Sequence, residues 1–199
     1  MEDLKQTPLA QESAGVRKIH LPLTRELART LHSGERVLLT GVIYTSRDAG
    51  HKRMCEALSR GEKLPFDPTD ATIYYVGPTP AKPGQVIGSA GPTTSGRMDA
   101  YAPTLMSVGA RGMIGKGARS KEVVEAMKQY DGVYFGVIGG AGALLAKCIK
   151  KSELTAYEDL GAEALRKLYV EDMPAVVIID CEGNNLYETG PAAYQKENR

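Results

Sequence analysis

The sequence predicts a single α/β domain, and three observations predict it. Runs rich in Val, Ile and Tyr alternate with stretches whose apolar residues recur at helical spacing. The chain has 199 residues and carries no internal repeat, which suits one domain of ordinary size. Hydrophobic residues make up 42% of it, enough to fill a core.

The elements follow in chain order. Met1 to Gly15 is polar and mixed in charge. It lacks the apolar centre of a secretion signal and reads as a flexible tail over 1–15. Val16 to Leu21 is a short strand candidate. Thr24 stands where it can cap a helix that turns Leu27, Ala28 and Leu31 inward. Arg36 to Ile43 reads as a buried strand, and Asp48 starts a helix with Met54, Ala57 and Leu58 inward. Ala71 to Val76 is the next buried strand. Pro78, Pro80 and Pro83 then break the chain before a weaker strand candidate, Val86 to Ser89. A helix begun at Thr94 cannot contain Pro103, which fits the first turn of a second short helix. Ser120 caps a helix with Val123, Val124 and Met127 inward. Gly132 to Ile138 and Pro174 to Asp180 are buried strands, and between them Gly161 to Val170 places Ala164, Leu165 and Leu168 on one helical face. The strand spacing is too irregular for a regular doubly wound fold. The ordered domain is expected over 16–188, with a polar C-terminal tail over 189–199.

Composition removes several functions. Lysine and arginine total 25 against 24 acids, a net charge of +1, so neither nucleic acid nor a membrane surface is an expected partner. No apolar run approaches the roughly 20 residues of a membrane span. A cytoplasmic location is the expectation. Cys55, Cys148 and Cys181 form no close pair, which leaves out zinc knuckles and redox motifs. Three thiols can hold an iron–sulfur cluster with one open iron. The apolar flanks of Cys148 and Cys181 favour inert buried thiols instead, and no metal is assigned to this chain.

Four loops carry chemistry. Gly91-Pro92-Thr93-Thr94-Ser95-Gly96-Arg97-Met98-Asp99 packs backbone-bending residues, three hydroxyls and a cation into nine positions. Alone it reads equally as a capped helix start with a solvated arginine. Thr45 to Arg53 joins a strand to a helix start, where Arg47 can offer a fork to a carboxylate or merely accompany an Asp48 cap. Gly115-Lys116-Gly117 presents a lysine between two glycines. It lacks the rest of a phosphate-binding P-loop. Gly139 to Ala143 is either an anion-binding nest or a run of small residues for close packing. Arg47, Arg97 and Lys116 share one theme, since a small dicarboxylate needs about two or three such charges.

The chain resembles the beta subunits of iron–sulfur-dependent hydro-lyases, the class I fumarase and L-tartrate dehydratase group, and the C-terminal domain of single-chain class I fumarases. Thr40-Gly41, Arg47-Asp48 with His51, Tyr75-Val76-Gly77-Pro78 and the 91–98 run carry the likeness. So do Gly115-Lys116-Gly117, Gly139-Gly140 and Ala156-Tyr157-Glu158-Asp159-Leu160-Gly161 with Glu163-Ala164. It extends from about Ile19 to Glu188, and the 96–99 and 156–164 segments look more like the fumarase branch. The resemblance implies a swivelling β/β/α domain that is half of a fumarate hydratase of the tricarboxylic acid cycle. It implies a partner alpha subunit, possibly in an α2β2 assembly, that holds the [4Fe-4S] cluster. It assigns Thr93 as the catalytic threonine and Arg47, Arg97, Lys116, Thr94 and Ser95 as substrate-binding. The alternatives are an L-tartrate dehydratase beta subunit and, in another class, a non-catalytic anion-binding regulatory module.

Overall fold

The computed structural model describes residues 15–137 and 140–197. All but the last residue of the expected N-terminal tail lies outside them. The first strand, β1, is Arg17–His20, and Thr24 caps α1, Arg25–Ala28, by accepting from the Leu27 amide at 3.2 Å. Then come β2 (Arg36–Thr45), α2 (Asp48–Ser59) and β3 (Thr72–Tyr74). A 3-10 turn at Ser95–Met98 precedes α3 (Ala102–Ser107), which takes Pro103 in its first turn as expected. After β4 (Gly112–Gly115), Ser120 caps α4 (Lys121–Tyr130) through the Val123 amide. The chain continues through β5 (Val133–Gly136), α5 (Gly142–Cys148), β6 (Ile149–Ala156), β7 (Leu165–Ile179) and α6 (Leu186–Glu197).

Strands β1 to β5 pair in parallel in chain order, while β7 runs antiparallel to both β2 and β5. Pairings β2–β3–β4–β5–β7–β2 therefore close a ring, with β6 added on the outer side of β7. One sheet edge collects the carboxyl ends of β2, β3, β4 and β5. In parallel α/β sheets that edge is where ligands bind.

Alternation along the strands assigns the two faces of the ring. Tyr74, Val76, Val133 and Phe135 join one core cluster with Ile19, Leu39 and Val177. Their neighbours Ile73, Tyr75 and Tyr134 point the other way, into a second cluster with Met54, Met98, Leu105, Met113 and Met127. Tyr75 and Tyr134 thus lie on the helix-covered face, under the carboxyl edge.

Two expected elements need correction. Gly161 to Val170 is not a helix: a 3-10 turn ends at Glu163 and β7 begins at Leu165. Leu165 and Leu168 also suit a strand, and pairing with β2 on one side and β6 on the other decides the matter. Val86 to Ser89 forms no strand: it follows a turn from Lys82 to Gln85, with Val86 exposed and Ile87 and Gly88 buried. Strand β6 was not expected at all; it is a solvent-facing outer strand of sequence IKKSELTA, with no apolar run to mark it. The C-terminal boundary drawn after residue 188 falls inside α6. Residues 198–199 of the expected tail lie outside the described residues.

Candidate functional site

The loops after β2, β3 and β4 converge on the carboxyl edge. Arg47 sits between β2 and α2, with its side chain 22% exposed. One of its nitrogens is 3.2 Å from Glu163 Oε1, and its Nε is 3.8 Å from Asp48 Oδ1. Arg97, from the 3-10 turn, meets the other Asp48 oxygen at 2.8 Å. Arg97 thus reaches a carboxylate 49 positions away in the chain, beside which Arg47 also stands. Two cations, Arg47 and Arg97, face two carboxylates, Asp48 and Glu163. Gly77 leaves the space Arg47 occupies, since a Cβ there would stand 2.9 Å from its Nη1.

His51 lies beneath this group. Its Nδ1 is 2.8 Å from Ser46 Oγ and 2.9 Å from the Arg47 carbonyl, and its ring meets Tyr75 edge-on at 5.2 Å. Burial pushes its pKa down to about 4, with the Arg119 charge adding to the effect. It is therefore neutral near pH 7 and adds no charge to the site; it braces the turn that carries Arg47.

The hydroxyl run crosses β3. The Thr93 amide donates to the Tyr75 carbonyl at 2.8 Å, which fixes the Thr93 backbone. Thr94 bridges to Lys116 as a parallel pair, and the Ser95 amide donates to the Lys116 carbonyl at 2.9 Å. Thr94, Arg97 and Lys116 are exposed. Ser95 corrects the expectation. It is fully buried, and its hydroxyl is 2.9 Å from the Tyr134 hydroxyl. Both of its donors are spent inside the protein, so Ser95 holds the loop rather than a ligand.

Both glycines of Gly115-Lys116-Gly117 have a reason. A Cβ on Gly115 would stand 2.0 Å from Ser95 Oγ, and Gly117 has φ +85, which side chains with a Cβ rarely adopt. The glycine run before α5 resolves toward close packing. Gly139 lies outside the described residues, but the Ala90 amide donates to the Gly142 carbonyl at 3.1 Å. A Cβ on Gly142 would stand 2.8 Å from the Gly91 nitrogen.

Sequence reasoning missed the floor of the site. Arg119 is fully buried at its side chain and donates to Asp99 at 2.7 Å. Its guanidinium lies 5.3 Å from the Tyr75 ring and 5.2 Å from the Tyr134 ring. Nothing in Gly117-Ala118-Arg119-Ser120 distinguishes this arginine from a surface cation. Asp99, in the 91–99 run, was the available signal.

The thiols stand apart. Cys55 faces the Tyr101 carbonyl, Cys148 the carbonyls of Leu144 and Asp172, and Cys181 the Ala28 carbonyl. Each is half-buried rather than fully enclosed, and burial raises each pKa, so none is poised as a thiolate. Among the described residues no three His, Cys, Asp or Glu side chains are grouped to hold a metal. No described helix is long and apolar enough to cross a membrane. Hollows of about 430 Å³ and 480 Å³ lie beside Arg53 and Tyr157 and beside Thr79 and Ala146. Thr94, Arg97 and Lys116 form an exposed rim.

Fold and rim together define a class: a small α/β domain that presents arginine, lysine and threonine on loops at one strand edge. The chain belongs to the Fumarase C-terminus family, whose profile matches residues 1–190. It is 39% identical to fumarate hydratase 2 of Leishmania major, over 94% of this chain and 35% of that protein. It is also 39% identical to the aerobic class I fumarate hydratase of Salmonella typhimurium, over 92% of this chain and 33% of that protein. The chain spans about a third of the length of these relatives. A Methanocaldococcus jannaschii protein provisionally named L(+)-tartrate dehydratase subunit beta is 37% identical, over 88% of this chain and 94% of that protein.

Proposed function

We propose that the chain is the beta subunit of an iron–sulfur hydro-lyase that reversibly hydrates fumarate to L-malate. In this reading a separate alpha subunit carries the [4Fe-4S] cluster and this chain supplies one wall of the site. The observation that carries the reading is the placing of Arg47 and Arg97 beside Asp48. Asp48 is hydrogen-bonded to Arg97 and only near Arg47, whose Nε has no hydrogen-bond partner among the described residues and so keeps a donor for a ligand. The scattered positions of Cys55, Cys148 and Cys181 do not fit a cluster on this chain. When bound in the partner, the cluster would supply a Lewis acid for the departing hydroxyl.

This chain's own residues then divide the remaining work. Arg47, Arg97 and Lys116 hold the two substrate carboxylates. They also stabilise the negative charge that grows on the distal carboxylate as the adjacent carbon loses its proton. Thr93, with its backbone pinned to Tyr75, offers its hydroxyl at that carbon. A threonine hydroxyl is a weak base alone and requires a strong acceptor from the partner. Thr94 lies beside Lys116 and orients the bound anion.

Copurification tests the proposal. The full chain produced anaerobically with its partner should give a brown pair that contains iron and sulfide and hydrates fumarate, while the chain alone should be colourless and inactive. Hydration by the isolated chain would sink the half-site reading. Tight dicarboxylate binding by the isolated chain in calorimetry would favour a regulatory module instead. L-tartrate is the second substrate reading, supported by the nearly full-length match to the tartrate dehydratase relative. Turnover of malate against tartrate by the pair separates the two.

A further inference from the structure

The two walls of the rim, the 91–98 run and the 115–117 loop, are bonded backbone to backbone where the Ser95 amide meets the Lys116 carbonyl, and one side-chain oxygen adds a second tie. Tyr134 projects from β5 to the helix-covered face, and its hydroxyl donates to the Gly117 carbonyl at 2.9 Å. That carbonyl can only accept, so the Tyr134 proton is committed to it. The second contact, Ser95 Oγ at 2.9 Å, must then donate to the Tyr134 oxygen. Gly117 follows Lys116, and Ser95 follows Thr93 and Thr94. The phenol oxygen thus ties the lysine wall to the threonine–arginine wall.

Independent features hold the phenol in place. The Arg119 guanidinium lies over its ring, and Asp99 fixes that guanidinium. Asp99 also accepts from the Ser120 amide at 2.7 Å, which fastens the far end of the 115–120 loop. Gly115 has no Cβ where Ser95 Oγ enters. Burial keeps the Tyr134 hydroxyl protonated far above neutral pH, so it stays a donor throughout the working range.

We propose that Tyr134 is a positioning residue whose hydroxyl, bonded to Ser95 and Gly117, sets the separation of Lys116 from Thr93 and Arg97. It touches no substrate and acts through Lys116. The catalytic consequence rests on the hydro-lyase reading above; the latch itself does not. A misplacement of about 1 Å in such a site costs roughly a hundredfold in rate.

The test is Tyr134→Phe in the full chain, with two readouts. Hydrogen exchange at the Ser95 amide should quicken about tenfold or more, while α4 amides keep their rates. In the pair with its alpha subunit, kcat/KM should fall about tenfold to a hundredfold. The same substitution in a Lys116→Ala background should cost nothing further, because the group it positions is already gone. Unchanged exchange at Ser95 would overturn the latch. An equal loss of kcat/KM in both backgrounds would overturn action through Lys116 and leave only support of the fold. If Tyr134→Phe does not fold, Ser95→Ala removes one bond from the other end, and the amide at position 95 must show the same acceleration. If the unmodified pair hydrates no dicarboxylate, the functional reading fails while the exchange result still decides the latch.

Discussion

His51 gives this fold a defined acid sensitivity. It is fully buried, with Nδ1 held between Ser46 Oγ and the Arg47 carbonyl, and burial lowers its pKa to about 4. In the unfolded chain an ordinary histidine titrates near 6.5. Between those values the unfolded state binds the proton and the folded state does not. Stability from this group is therefore complete above about pH 6.5 and falls as the pH drops toward 4. The two values give a loss of about 2 kcal/mol by pH 5. For a chain of this size that is roughly 4–8 °C in Tm. Urea unfolding of the full chain and of His51→Gln, each at pH 7.5 and pH 5.0, measures it. Other groups titrate in both proteins, so the difference between the two pH effects isolates His51. It should be about 2 kcal/mol, with the variant the less sensitive protein. Equal pH effects in both, within about 0.5 kcal/mol, would refute the account of a neutral buried imidazole beneath Arg47.

Other outcomes follow from the same geometry. Gly115→Ala drives a methyl group to 2.0 Å from Ser95 Oγ and 3.0 Å from the Tyr75 ring; thermal unfolding should show a loss of about 1–3 kcal/mol or more. Asp48→Asn removes the internal anion that competes for Arg47 and Arg97, so calorimetry on the pair should find succinate bound about threefold tighter or more. Weaker binding would mean that Asp48 braces the arginines rather than competing with a ligand. Replacing Cys55, Cys148 and Cys181 together by alanine should leave iron, sulfide and turnover of the pair unchanged.

The legible parts of the sequence were those where local chemistry and tertiary packing agree. Thr24 and Ser120 cap helices as read, and the apolar runs at 36–43, 71–76 and 132–138 contain most of β2 and the whole of β3 and β5. Strands β6 and the first half of β7 were not legible. One is polar and outermost, and the other owes its state to partners on both sides rather than to its own period. The loops that carry Arg47, Arg97, Lys116 and Thr94 are neighbours, through the Arg97–Asp48 pair and the Thr94–Lys116 bridge. Ser95 was misread because a buried serine and a ligand-binding serine look alike in sequence. Only the Cβ-free space at Gly115 and the phenol of Tyr134 separate them. Arg119 was invisible for the converse reason: a cation in a glycine-bearing loop reads as solvated, yet two tyrosine faces and Asp99 enclose this one.

The central claim is that the open rim is a dicarboxylate wall that works only opposite a partner. Arg97→Met tests it most directly, because Arg97 is exposed and its loss leaves the core untouched. Fumarate hydration should be measured on the purified pair carrying that substitution, alongside its iron content and subunit ratio. The account predicts a loss of turnover of about a thousandfold, with iron and assembly unchanged. Turnover within about twofold of the unsubstituted pair would contradict it.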